Sequence, residues 1–208
     1  KYLSFNNVKP LIDYLCELWN TNLSDSSLPI TFFSFYGGEP LLNMDFIKKT
    51  VDYIEKLNIR RKILFSMTTN AMLLDRYMDY LVEKGFHLLI SLDGDRYGDS
   101  YRVDKCGHSS FERVIRNVKR LQTNFPKFFA DNVNFNSVLH NRNSVQSIHN
   151  FISVEFGKTP RIAELNSAGV RPEMLEEFNL AYKNKLESLY ESENYEAITE
   201  SLFTSDPN

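Results

Sequence analysis

Two periods of apolar residues take turns along this chain. Val8, Leu11, Ile12, Leu15, Cys16, Leu18 and Trp19 recur at helical spacing and predict a helix over Val8–Asn20. The polar stretch Ser24–Pro29 reads as a loop, and Ile30–Tyr36, dense in Phe and Tyr, reads as a strand. Phe46, Ile47, Val51, Ile54 and Leu57 share one face of a helix over Asp45–Leu57. Lys62–Thr68 is the next strand and runs into Thr69-Asn70. Asp75 caps a helix that ends near Lys84, where Gly85 stops it. Phe86–Leu92 is almost continuously apolar, as a strand covered on both faces must be, and it ends in Asp93-Gly94. Ser109 or Ser110 caps a helix to about Thr123, and Val133–Leu139 is a strand. Ser144–Glu155 is a helix and Arg161–Leu165 a short strand. Pro172 opens a charged helical tail to about Tyr190, with a second piece over Tyr195–Phe203.

Strands and helices therefore alternate from end to end. That order requires crossover helices between parallel strands, because a parallel partner cannot be reached by a tight turn. A barrel and an open doubly wound sheet both satisfy it, and both collect ligand sites at the C-terminal strand ends. The unusual polar residues fall at those ends: Gly37-Gly38-Glu39, Thr69-Asn70, Ser91 with Asp93-Gly94, and His140-Asn141. Residues 1–170 are read as the strand–helix core and 171–208 as a helical extension.

Composition narrows the class. At 42% hydrophobic and 25% charged, the 208 residues have the balance of a globular protein. A net charge of −3 gives no electrostatic ground for nucleic-acid binding. Arg60, Arg61 and Lys62 form the one basic cluster, read as a helix-end cap. No apolar run approaches the roughly 18 residues a membrane span needs. Cys16 and Cys106 make neither a CxxC pair nor a zinc spacing, which fits a reducing, cytoplasmic setting. Cys16 lies on the apolar face of its helix as core. None of His87, His108, His140 and His149 has metal-ligand spacing with another; His140, just after a strand, is the one that faces the site side.

The strand ends suggest recognition of an amino-acid head group. Paired glycines open the backbone at residues 37 and 38, and Glu39 adds a negative charge suited to an amine and unsuited to a phosphate. Arg102 carries a planar fork able to clamp a carboxylate, with Ser91 as a further donor.

Taken together, Phe35-Tyr-Gly-Gly-Glu-Pro-Leu-Leu42, Thr68-Thr-Asn-Ala-Met-Leu-Leu74, Ile90-Ser-Leu-Asp-Gly94, Asp99, Arg102 and Gly107-His-Ser-Ser-Phe111 occur in an order that resembles radical S-adenosylmethionine enzymes. The resemblance is to the sulfatase- and peptide-maturing group with a C-terminal SPASM domain, and it covers about Phe5 to Leu139. It implies a partial (β/α)6 barrel. By this likeness Gly37, Gly38 and Glu39 bind the amino group of S-adenosylmethionine, while Ser91 and Arg102 hold its carboxylate. Thr69 and Asn70 match the next strand tip, near cofactor and substrate. Asn136 is a further cofactor contact, and Leu165 or Asn166 borders the adenine. The implied chemistry uses a [4Fe-4S] cluster to cleave the cofactor into a 5′-deoxyadenosyl radical that removes a hydrogen atom from a peptide or protein.

The sequence departs from the family in one respect. The family holds its cluster with three cysteines spaced C-x3-C-x2-C, and this chain has no such motif. The expectation is a fragment whose first strand and cluster loop would precede Lys1, whose SPASM domain would follow Asn208, and which is itself inactive. A missing first strand would leave an open sheet edge for pairing with a second copy. The alternative is a cluster-less relative serving as a peptide-binding or partner subunit. A third reading, an acid–base enzyme using Glu39 and Asp93, lacks any supporting motif.

Overall fold

The computed structural model describes residues 3–21, 29–163 and 172–181. Helix α1 spans Phe5–Asn20 and strand β1 Ile30–Phe35, followed by α2 (Met44–Ile54), β2 (Lys62–Thr69), α3 (Leu74–Glu83) and β3 (His87–Ser91). Then come α4 (Phe111–Asn124), α5 (Pro126–Asn132), β4 (Val133–Val138), α6 (Val145–Phe156), β5 (Arg161–Ala163) and α7 (Leu175–Ala181).

The sheet order is β1-β2-β3-β4-β5, the order in the chain. Strand pairs align in parallel, with Ile30 opposite Lys62 and Phe35 opposite Met67 at one end and Asn136 opposite Arg161 at the other. This decides between the two parallel architectures. A doubly wound sheet reverses its strand order at a switch point. An order that never reverses is that of a barrel, here a partial one.

The chain divides into two compact units. The first holds the residues up to Thr69 together with Leu73–Leu89. Its core is aromatic: Phe86 is fully buried, stacked on Phe65 at 5.7 Å and tilted against Phe35 at 5.9 Å. Ile47, Val51 and Ile54 of α2 and Leu74, Met78 and Leu81 of α3 supply the helical faces of this core. Helix α1 is clipped on by polar groups. Asn20 donates to the Asn58 carbonyl (2.8 Å) and accepts from Arg60 N–H (3.0 Å), and the Tyr53 hydroxyl donates to Asp13.

The second unit holds Asn70–Met72 and the residues from Ile90 onward. Asn117 of α4 explains why that short piece joins it, since its side-chain amide donates to the Ala71 carbonyl at 2.9 Å and the Met72 carbonyl at 3.2 Å. Phe135 of β4 stacks on Phe156 of α6 at 4.8 Å, and Phe129 of α5 packs on both.

Differences from the sequence reading have local causes. Helix α1 begins three residues before Val8 and carries Pro10 inside it, a residue with no N–H to give to the carbonyl four positions back. Leu73, not Asp75, occupies the α3 cap; Asp75 sits in the first turn, where the helix dipole favours a carboxylate. Helix α5 has no apolar period long enough to see, only Pro126 at its first position. The basic cluster does not cap a helix, because Arg61 turns inward and donates to the Thr31 hydroxyl at 2.7 Å. Among the described residues no helix is long and apolar enough to cross a membrane. Leu165, Asn166 and the tail beyond Ala181 lie outside the described residues.

Candidate functional site

In the first unit the end of β1 runs into Tyr36-Gly-Gly-Glu39. A cavity of about 550 Å³ opens there, lined by Phe33, Phe35, Gly37, Gly38, Glu39 and Phe46 among others. That volume is within the range of small-molecule sites. A Cβ added at Gly37 or Gly38 would meet nothing within 4 Å, so the backbone face is open to a ligand. Glu39 is held at this mouth. Its Oε1 accepts from the Leu41 N–H at 3.0 Å and from the Thr69 hydroxyl at 2.7 Å. Thr69, at the last position of β2, is 2% exposed, so it orients the glutamate from below. The sequence places Thr69 near a cofactor; in the structure its hydroxyl donates to Glu39.

In the second unit Asn70 closes its own turn, its side-chain oxygen accepting from the Met72 N–H at 3.0 Å. Ser91 is half-buried at the last position of β3. Asn136 lies half-buried on β4, and its carbonyl accepts from the Leu92 N–H at 3.1 Å.

The loop after β3 is organised around a carboxylate that reads as an ordinary turn residue in the sequence. Asp93 is 4% exposed. Its Oδ1 accepts from Arg102 Nη2 and from the Val138 N–H, both at 2.7 Å. Its Oδ2 lies 2.7 Å from Arg102 Nε, close enough to pair as ions but poorly aligned as a hydrogen bond. One fork of Arg102 is therefore engaged inside the protein. A guanidinium has a second fork on its Nη1 side, and the Arg102 side chain is 27% exposed. Asn143 completes the arrangement by donating to the carbonyls of Asp93 and Val138, both at 2.9 Å. Gly98 is required here, since an added Cβ would sit 2.8 Å from the Asp93 carbonyl.

Asp99 is fully buried beneath this pair. Its Oδ1 accepts from the Asp93 N–H at 3.0 Å and lies 3.5 Å from Arg102 Nε. Burial pushes its carboxyl from 3.8 up to about 7, against the pull of the Asp93 N–H and the Arg102 charge. His140 is also buried, with Nδ1 accepting from the Arg142 N–H at 3.1 Å and its ring edge-on to Tyr101 at 4.9 Å. Burial lowers its pKa. The histidine expected to face the site is thus buried and held by its own loop.

These two groups act on stability with opposite signs. The folded chain keeps on Asp99 a proton that the unfolded chain releases near pH 4, so this contribution is complete below that pH and lost as pH rises through about 7. The contribution of His140 is present above the ordinary histidine range and lost as pH falls. Asp99→Asn isolates the first effect. Its urea midpoint, followed from pH 5 to 8, is expected to gain steadily on that of the parent, and parallel profiles would contradict the assignment.

The profile of the Radical SAM superfamily matches residues 24–153, more than half of the chain. A cysteine-type anaerobic sulfatase-maturating enzyme of Clostridium novyi is 33% identical over 93 residues, 43% of this chain and 25% of that protein. A radical SAM cyclopropyl synthase of Paramaledivibacter caminithermalis is 27% identical over 191 residues, 90% of this chain and 37% of that protein. The chain thus spans a quarter to two fifths of the length of the curated relatives it matches. Among solved structures, native anSMEcpe with bound AdoMet superposes with a TM-score of 0.61 at 22% identity, over 88% of this chain and 51% of that one. The same protein with AdoMet and a Kp18Cys peptide gives 0.62 at 20% identity, over 84% and 54%. These likenesses show the same fold.

Proposed function

Because the chain belongs to the Radical SAM superfamily, we propose that it is the barrel core of an enzyme that modifies a peptide or protein, in the manner of sulfatase or ribosomal-peptide maturases. Its cofactor is S-adenosylmethionine. Bound with a reduced [4Fe-4S] cluster, that cofactor supplies a 5′-deoxyadenosyl radical able to remove a hydrogen atom from the substrate. The observation that carries this reading is the open glycine backbone beside a pinned glutamate, Gly37-Gly38-Glu39.

In the first unit, the residues at the end of β1 fit the amino group of the cofactor. An ammonium brings three donors and needs converging acceptors. The Glu39 carboxylate supplies charged ones beside the open backbone of Gly37 and Gly38, and Thr69 fixes the glutamate rotamer. In the second unit, the family likeness gives Ser91 and Arg102 the carboxylate, and Asp93 holds one fork of the guanidinium in place. Asn70 and Asn136 complete the cofactor's surroundings.

The chain does not fit the cluster. Its two cysteines are one short of the three thiolates the family uses, so these residues do not hold such a cluster by themselves. We therefore read the chain as part of a longer, cytoplasmic protein in which other segments supply the cluster loop and a SPASM domain. Residues 1–170 form its barrel core and 171–208 an extension towards that domain, and the fragment alone is inactive. The outer edge of β1 is a place where a second copy can pair.

The test is made on the whole gene product, reconstituted anaerobically with iron and sulfide and then reduced in the presence of S-adenosylmethionine. Formation of 5′-deoxyadenosine is expected. A native reading frame with no C-x3-C-x2-C ahead of Lys1, together with no 5′-deoxyadenosine, would instead establish a cluster-less peptide-binding subunit.

A further inference from the structure

We propose that the loop Asp104–His108, in the connection from β3 to α4, is a binding site for a divalent transition metal of the zinc type, held by the Asp104 carboxylate, the Cys106 thiolate and the His108 imidazole. One ligand atom from each of the three lies within 4.8 Å of the others. Two donors of different softness and a carboxylate, at every second position of one five-residue loop, form a donor set that ordinary surface composition does not require.

The loop is already folded around these groups. An antiparallel bridge between Val103 and Ser109 closes its ends. The Asp104 N–H donates to the His108 carbonyl at 2.8 Å, and the Gly107 N–H to the Asp104 carbonyl at 3.0 Å. Gly107 turns the chain at φ +81°, a conformation a side chain would resist. The Asp104 carboxylate is fixed by its own loop, with Oδ1 accepting from the N–H groups of Cys106 (2.8 Å) and His108 (2.9 Å). Its other oxygen, Oδ2, lies 3.6 Å from His108 Nδ1. Metal–ligand bonds of about 2.0–2.3 Å at tetrahedral angles put neighbouring donor atoms roughly 3.3–3.7 Å apart, so this separation already suits a shared ion. Only the Cys106 sulfur has to move in.

The donor types choose the metal. A thiolate beside an imidazole disfavours Mg²⁺ and Ca²⁺, which take oxygen ligands, and favours Zn²⁺ and its neighbours. Three protein ligands leave a fourth position for water, the pattern of an accessible site. Cys106 is exposed and the His108 side chain 80% exposed, so an ion can enter from solvent. Residue type at this spacing distinguishes the site from an iron–sulfur centre, which would need further thiolates.

The experiment uses the untagged 208-residue protein in metal-free buffer, titrated with Co²⁺ as an optical probe and then with Zn²⁺. Expected are one equivalent of bound cobalt, a thiolate-to-cobalt charge-transfer band, and loss of that band as zinc displaces cobalt. Cys106→Ser should abolish the band and His108→Ala should weaken binding by about tenfold or more, because each removes one of three ligands. Cys16→Ser should leave both unchanged. Affinity should fall on acidification, since thiolate and imidazole must shed protons to bind. No band in the parent protein, a band that survives Cys106→Ser, or equal affinities in all variants would each overturn the proposal. None of these outcomes bears on the proposed S-adenosylmethionine site, which is assigned other residues.

Discussion

Asp93→Ala is expected to destabilise the chain by about 3–5 kcal/mol, the range for breaking a buried ion pair from one side. The replacement strands two partners at once. Arg102 loses the carboxylate facing its Nε–Nη2 edge, and the Val138 N–H loses its acceptor. A guanidinium that is only 27% exposed and keeps nothing but the more distant Asp99 is worse for the fold than no guanidinium. The double replacement with Arg102→Met should therefore recover part of the loss. Chemical denaturation of the four proteins in this cycle measures the coupling, and strictly additive effects would contradict the described pairing. The functional consequence follows from the same geometry. If Asp93 holds Arg102 for the cofactor's carboxylate, Asp93→Asn weakens S-adenosylmethionine binding even where the protein stays folded.

Phe86→Ala should cost a similar amount, about 3–5 kcal/mol, for a different reason. Phe86 is fully buried just before β3 and packs on Phe35, Phe65 and Tyr80. Three aromatic neighbours of fixed shape cannot close around the space it leaves, so the cavity penalty adds to the lost transfer energy. Phe86→Leu should cost clearly less because it keeps most of the volume. Urea midpoints that are equal for the two variants would show that the aromatic cluster is looser than described.

The fold was legible because its apolar periods are long. The continuous run Phe86–Leu92 and the amphipathic faces of α2 and α4 announce buried strands and crossover helices without ambiguity. What periodicity could not decide was barrel against doubly wound sheet, since strand order depends on how the crossovers pack and leaves no mark on any one segment. It also missed α5, which is shorter than two full helical repeats. At the candidate site, the open backbone of Gly37-Gly38 with an acid beside it was legible from residue type alone. The partnerships were not. Thr69 on Glu39 joins residues 30 apart, and Asp93 on Val138 joins residues 45 apart. Asp93-Gly94 looks like any turn until the backbone N–H of β4 is brought to it. The Asp104–Cys106–His108 loop escaped because its spacing matches no familiar zinc motif, and only the closed loop brings its three donors together.

The central claim is that the end of β1 takes the amino group of S-adenosylmethionine through Glu39. The direct measurement is calorimetric titration of S-adenosylmethionine into the protein and into Glu39→Gln, with Asp45→Asn as a control for a lost surface charge. Glu39→Gln keeps the acceptor oxygen but removes the charge, and a charge-assisted hydrogen bond is worth roughly 1.5–3 kcal/mol. The expected result is one binding site, weakened about tenfold or more by Glu39→Gln and unchanged by Asp45→Asn. Equal affinity in the parent and Glu39→Gln, or no binding to the parent, would contradict it.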